Sequence, residues 1–73
     1  MEYTVIIHPA EEGGYWAEVP ALQGCYSQGE TLEQVMVNVG EAVEAHIEAL
    51  KQDGQEVPVE KGLMIGRVES AAA

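Results

Sequence analysis

Apolar and polar positions alternate in the first part of the chain, in two runs separated by a turn. Residues 2–8 and 15–19 are rich in β-branched and aromatic side chains, which predicts two strands. Between them lie a proline and two glycines, residues typical of a tight connection, so the two strands should form an antiparallel hairpin. Pro20 closes the second strand because it cannot donate to a ladder, and residues 25–28 predict a brief third strand. Alternation should place one set on one face (Tyr3, Val5, Ile7, Tyr15, Ala17 and Val19) and another on the opposite face (Thr4, Ile6, His8, Trp16 and Glu18).

From residue 32 the apolar period changes from 2 to 3.6, which predicts an amphipathic helix over about 32–53. Thr31 should be its N-cap, with Gln34 completing a capping box, and Gly54 suits the left-handed position after the last turn. The apolar stripe contains eight residues, Leu32, Val35, Met36, Val39, Val43, His46, Ile47 and Leu50.

Residues 62–68 predict a fourth strand at an edge of the sheet, weakened by two glycines. The pattern therefore predicts an α+β fold of the order β-β-β-α-β, in which an antiparallel three- to four-stranded sheet carries one long helix on one face. Residues 1–70 should form a single domain, and residues 71–73 a frayed tail.

The small size of the chain predicts self-association. A domain near 73 residues buries only about 60% of the surface that its unfolded chain exposes. One cysteine cannot form an internal disulfide, so we expect a homodimer or a higher oligomer. The helix would leave one sheet face open, and an apolar patch there typically marks an interaction site. The residues predicted for the oligomer interface are Ile6, Trp16, Met64 and Val68.

The charge balance narrows the class of partner. Thirteen acids face three bases, which gives a formal net charge of −10. Nucleic-acid binding depends on lysine and arginine neutralising phosphates, so direct nucleic-acid binding is not expected, and neither is binding to an anionic membrane surface. The same imbalance favours solubility and attraction of a basic partner. No signal peptide or apolar stretch of about 20 residues is present, and a lone free cysteine suits a reducing compartment, so a cytoplasmic location is expected.

Few residues could support catalysis. Cys25, His8 and His46 are the candidates of the usual type, and they lack the spacing of a metal site. Cys25 fits a buried strand residue better than a nucleophile, His46 belongs to the apolar stripe, and His8 should be solvated at a strand end. We therefore expect no enzymatic activity, no metal and no cofactor.

Three separated motifs resemble the HicB antitoxin family. They are Gly13–Tyr15, Val19–Cys25 and Ser27–Gln34, which follow the pattern G-Y…P-x-L-x-G-C…G-[DE]-T-L-E, and Glu41-Ala42 fits the helix that follows. The resemblance covers about residues 2–60. Gln23 departs from it, since many members have proline there. Residues 55–73 are too short and too acidic for the DNA-binding segment that family members often carry, so protein binding alone is expected of this chain.

The resemblance implies a partial ribonuclease H-like domain that binds and neutralises HicA, a small basic toxin that cleaves messenger RNA. A stand-alone oligomeric scaffold or regulatory domain without a cognate toxin is the alternative. The residues predicted to contact the toxin are acids of the hairpin loop and of the exposed helix face, Glu11, Glu12, Glu41, Glu44 and Glu48.

Overall fold

Three strands and one helix follow one another in the computed structural model, which describes residues 1–72. Strand β1 spans Ile6–Pro9, β2 spans Tyr15–Glu18, β3 spans Tyr26–Gly29, and helix α1 spans Leu32–Gln52. The strands form one antiparallel sheet in the order β1-β2-β3. The helix packs on one face of this sheet, so the predicted α+β class is confirmed. Of the predicted tail, Ala73 lies outside the described residues.

β1 and β2 are shorter than the alternating pattern predicted, with four residues each, whereas β3 has the predicted four residues but begins one residue later. β1 begins at Ile6 rather than near residue 2. Ile6 pairs with Glu18, which is the last residue of β2, so residues 2–5 have no strand partner. Cys25 does not begin β3. Its N–H donates to the Leu22 carbonyl at 3.0 Å, and its carbonyl accepts from the Val19 N–H at 3.1 Å, so it closes a turn instead.

The predicted fourth strand over 62–68 is wrong for this structure, in which those residues are exposed and form no strand. Gly62 has a φ of +97°, outside the strand region, and turns the chain away. Only the residues just before it lie beside the N-terminal segment. There the Tyr3 hydroxyl donates to the Pro58 carbonyl at 2.6 Å, and the Glu60 carboxylate accepts from the Thr4 N–H and hydroxyl at 2.7 and 2.6 Å.

Helix α1 begins and ends with the caps that the sequence predicted. The Thr31 hydroxyl accepts from the Gln34 N–H at 3.0 Å. The Gln34 side chain reaches back one residue further than a capping box requires, to the Glu30 N–H. At the other end Gly54 has a φ of +71° and donates to the Lys51 carbonyl, while Gln55 donates to Leu50, which is a Schellman motif.

The core lies between the first half of α1 and the sheet. Its fully buried side chains come from β2, the turn after it and the helix, and they are Ala17, Val19, Leu22, Cys25, Val35 and Val39. Leu32 and Met36 belong to the predicted apolar stripe but are 53% and 49% exposed. Both lie in the first half of α1 beside the buried Val35 and Val39, so they form a margin of the stripe that the sheet leaves uncovered.

Candidate partner-binding surfaces

The sheet face opposite α1 is not covered by any other described part of the chain. Residues that pair directly across antiparallel strands share a face, so this surface follows from the register. One row joins Ile6, Glu18 and Tyr26, and the next joins His8, Trp16 and Gln28. We call these six residues the open face. The alternation predicted this side for Ile6, His8, Trp16 and Glu18, and the register confirms that assignment.

Aromatic rings dominate the open face and contact one another. The His8 ring stacks on Trp16, with centroids 4.2 Å apart and an interplanar angle of 17°. Trp16 also packs at an angle against Tyr26, with a centroid distance of 6.2 Å. His8 Nε2 lies 2.6 Å from Glu18 Oε2, so this carboxylate holds the His8 ring in its stacked orientation. His8 is therefore half-buried rather than solvated as expected, and Trp16 is supported from both sides.

The hairpin loop places two acids beside this aromatic surface. Hydrogen bonds between Ala10 and Gly14, and between Gly13 and Ala10, close the loop. Exposed Glu11 and Glu12 then line a depression of about 530 Å³, together with Trp16. A second depression of about 400 Å³ lies between Trp16 and Tyr26. Trp16 thus borders both depressions, with carboxylates at the rim of one.

The acids predicted for toxin contact fall on two separate surfaces. Glu11 and Glu12 border the open face, whereas Glu41, Glu44 and Glu48 are exposed on α1, which covers the other face of the sheet. The two sets therefore cannot contribute to one compact interface. The sequence pattern could not separate them, because it does not say how the loop is oriented relative to the helix.

The predicted oligomer-interface residues are also divided within one chain. Ile6 and Trp16 lie on the open face. Met64 and Val68 lie in the C-terminal segment and are 95% and 96% exposed. No described contact brings the two pairs together in a single copy.

The candidate catalytic residues do not form a site. Cys25 is 4% exposed, and burial raises the pKa of its thiol, which disfavours the reactive thiolate. His46 is half-buried on α1, far along the chain from the stacked His8. Within residues 1–72, no group of three histidine, cysteine, aspartate or glutamate side chains could hold a metal ion. Nor is the helix, as described, long and apolar enough to cross a membrane.

The structure is thus a small α+β domain whose sheet has one face covered by a helix and the other face lined by supported aromatic rings and bordered by acids. Trp and Tyr are enriched among the residues that carry binding energy at protein interfaces. Residues 3–70 match the model of a family described as the HicB-like antitoxin of bacterial toxin-antitoxin systems. The chain belongs to this family, and the resemblance seen in its motifs is confirmed.

Similar proteins cover most of the chain. A UPF0150 protein of Thermoplasma acidophilum is 47% identical over 58 residues, which are 80% of this chain and 84% of that protein. A UPF0150 protein of Synechocystis is 47% identical over 58 residues, covering 80% and 73% of the two chains. A chain in the solved "HicA3 and HicB3 toxin-antitoxin complex" superposes with a TM-score of 0.69 and 33% identity, over 80% of this chain and 66% of that one.

Proposed function

We propose that this chain is an antitoxin that neutralises a small basic HicA-type toxin by binding it through the open face. The observation that carries the proposal is the supported Trp16 beside two rim carboxylates. The similar solved chain comes from a HicA3–HicB3 toxin-antitoxin complex, which supports a toxin as the partner.

The chemistry of the open face suits a basic protein partner. Trp16 and Tyr26 are 36% and 61% exposed, and their rings offer faces to which arginine and lysine side chains are attracted. Glu11 and Glu12 can pair with bases at the edge of the same contact. Because the toxin uses its basic surface to hold RNA, an antitoxin on that surface excludes RNA without any reaction of its own. This role requires no enzymatic activity, cofactor or nucleic-acid contact, and it belongs in the cytoplasm, where messenger RNA is cleaved.

The helix acids have a different part in this proposal. Glu41, Glu44 and Glu48 raise the overall negative potential and speed the encounter with a basic toxin, but they do not contact it. Residues 1–70 would act as one domain in this role.

The test is inhibition of RNA cleavage by a HicA-type toxin encoded beside this chain's gene. Trp16→Ala should weaken toxin binding by about 30-fold or more, the effect of losing roughly 2 kcal/mol at a central aromatic anchor. Val37→Ala is the matched control, because Val37 is 62% exposed on α1, away from the open face. Equal inhibition by Trp16→Ala and the wild type would refute the open face as the toxin site. No inhibition by the wild type at molar excess would favour the scaffold alternative.

Charge neutralisation distinguishes the two acidic surfaces. Glu11→Gln with Glu12→Gln should slow association and reduce its dependence on salt, because rim charges act mainly on the association rate. Glu41→Gln with Glu48→Gln removes the same charge from the helix and should have the smaller effect at physiological salt. A larger effect of the helix pair would place the toxin on α1 and contradict the proposal.

A further inference from the structure

The open face contains a cleft between the rings of Trp16 and Tyr26, which we call the aromatic cleft. The two ring planes are tilted by 48° rather than stacked, so a space remains between them. This space is the depression of about 400 Å³ described above, and Ser27 and Gln28 line it as well. The aromatic cleft is therefore open to a side chain of a partner.

His8 covers one face of the Trp16 ring and leaves the other face to the aromatic cleft. β2 lies between β1 and β3, so His8 stacks on Trp16 from the side of β1, whereas Tyr26 and Gln28 lie on the side of β3. The centroid distance of 4.2 Å leaves no room for another group between His8 and Trp16. A ligand of the indole ring must therefore enter from the side of β3.

Both walls of the aromatic cleft are held in place by contacts with other elements. Asn38 of α1 donates its side-chain amide to the Gln28 carbonyl at 2.7 Å, which fixes the strand that carries Tyr26. On the other side, the Glu18 carboxylate holds the His8 ring against Trp16. A site whose walls are already ordered loses less conformational entropy when it binds a ligand.

The charges around the aromatic cleft select a cation. Glu18 lies on the open face, and Glu11 and Glu12 lie at its rim. No lysine or arginine precedes Lys51 in the sequence, so none from the strands or the hairpin loop offsets these carboxylates, and His8 contacts Glu18 alone. The faces of aromatic rings are themselves negative and attract cations.

The chemistry of the aromatic cleft favours arginine over lysine. A guanidinium is planar and weakly hydrated, so it can lie flat on the Trp16 ring while its N–H groups point outward in its own plane. Gln28 lines the same depression, and its side-chain carbonyl is an acceptor for such a group. A lysine ammonium is a compact and strongly hydrated charge that cannot stack on a ring in this way.

We propose that the aromatic cleft binds one arginine side chain of the protein partner, with the guanidinium stacked on the β3-facing side of the Trp16 ring. The inference rests on the proposed function, since the arginine belongs to the toxin, and it assigns a single side chain to a defined place on the open face. His8 acts here as a positioning residue, because it supports the indole ring and does not touch the arginine.

A small-molecule titration tests the aromatic cleft without the toxin. Trp16 is the only tryptophan of the chain, so its indole N–H gives one assigned signal in a heteronuclear NMR spectrum. N-acetyl-arginine amide should shift this signal saturably with a Kd on the order of 10–50 mM, as expected for one cation–π contact. N-acetyl-citrulline amide, which has the same shape without the charge, should not. No saturable shift with the arginine derivative, or equal shifts with the citrulline or lysine derivative, would overturn the proposal.

Two variants of Tyr26 form a matched pair for the same titration. Tyr26 is 61% exposed, so both variants should keep the wild-type helix content by circular dichroism. Tyr26→Phe keeps the ring and should bind the arginine derivative as the wild type does. Tyr26→Leu keeps apolar bulk without a ring and should weaken binding about two- to fivefold. Unchanged binding by Tyr26→Leu would place the arginine outside the aromatic cleft and refute the proposal.

In the toxin complex the same contact should appear as a coupling between two proteins. Each arginine of the HicA-type toxin encoded beside this chain's gene is changed to lysine in turn. One replacement should weaken binding to the wild-type chain about fivefold, but should have little further effect on Tyr26→Leu. Additive losses for every toxin arginine would contradict the proposal.

The titration and the toxin measurements separate failure of the aromatic cleft from failure of the proposed function. Saturable binding of the arginine derivative without any toxin binding would support the cleft and refute the toxin as its partner. Loss of toxin affinity in Trp16→Ala, with no selective binding of the arginine derivative and no coupled toxin arginine, would support the open face as the toxin site and refute the arginine cleft.

Discussion

Gly29, the last residue of β3, lies directly against the first turn of α1. A Cβ at this position would be 2.6 Å from the Val35 nitrogen and 2.9 Å from the Val35 Cα. Both atoms belong to the helix backbone, so a rotamer change cannot relieve the overlap. The glycine is needed for its lack of a side chain, because its φ is not in the left-handed region.

The free-energy cost of Gly29→Ala depends on how far the start of α1 would have to move away from β3. Carbon contacts normally begin near 3.4 Å, so the helix start would shift by close to 1 Å. That start is held by the Thr31 cap, and Val35 is 0% exposed in the core. Overpacking of this kind typically costs about 1–3 kcal/mol. A domain of 73 residues has only about 4–11 kcal/mol of stability in total. A loss near 2 kcal/mol should lower Tm by about 8–16 °C.

Gly40→Ala is the matched control, because a Cβ there meets no atom within 4 Å. In the middle of α1 this change should stabilise the helix by about 1 kcal/mol and raise Tm by about 4–8 °C. Thermal and urea unfolding, repeated at a tenfold dilution to separate folding from association, would measure both variants. An alanine at 29 as stable as the wild type, or a destabilising alanine at 40, would refute the steric reasoning.

Three further predictions concern the cap, the chain crossing and the buried thiol. Thr31→Ala should cost about 1 kcal/mol in urea unfolding, whereas Thr31→Ser should cost much less because it keeps the hydroxyl acceptor. Hydrogen bonds from Thr4 hold the pKa of the Glu60 carboxyl below its ordinary value. The contribution of Glu60 to stability is therefore present at pH values above the ordinary pKa, and it is lost as the pH falls through the lowered pKa of the folded protein. The stability difference between the wild type and Glu60→Gln should therefore shrink toward zero in acid, and a constant difference down to acid pH would contradict this. Cys25 should react with a thiol reagent only as fast as the protein opens, and rapid reaction of the folded protein would contradict its burial.

Local patterns predicted those parts of the fold that depend on neighbouring residues. The alternation of Trp16, Ala17 and Glu18 fixed their faces, and Thr31 and Gly54 marked the ends of α1, because both signals arise within a few residues. The strand lengths could not be predicted in this way, since a strand residue needs a partner elsewhere in the sheet. The fourth strand failed for the same reason: Gly62–Val68 has β-forming residues, but the chain turns away at Gly62.

The sequence predicted which residues lie on the candidate site, but it did not predict the contacts among their side chains. Alternation identified Ile6 and Trp16 as residues of an uncovered face. The stacking of His8 on Trp16 and its contact with Glu18 were not predicted, because they join two strands through the register of the hairpin. A count of acids likewise could not show that the hairpin loop and the helix present two different surfaces.

The uncovered surfaces follow from the size of the fold. A three-stranded sheet of four-residue strands has one face covered by its helix, and within residues 1–72 no second layer covers the other face. The six buried core residues support a folded state of modest stability. A ligand that binds only the folded state adds stability in proportion to the logarithm of its concentration over Kd. A toxin on the open face would therefore stabilise the domain, and the gain would grow with the concentration of free toxin.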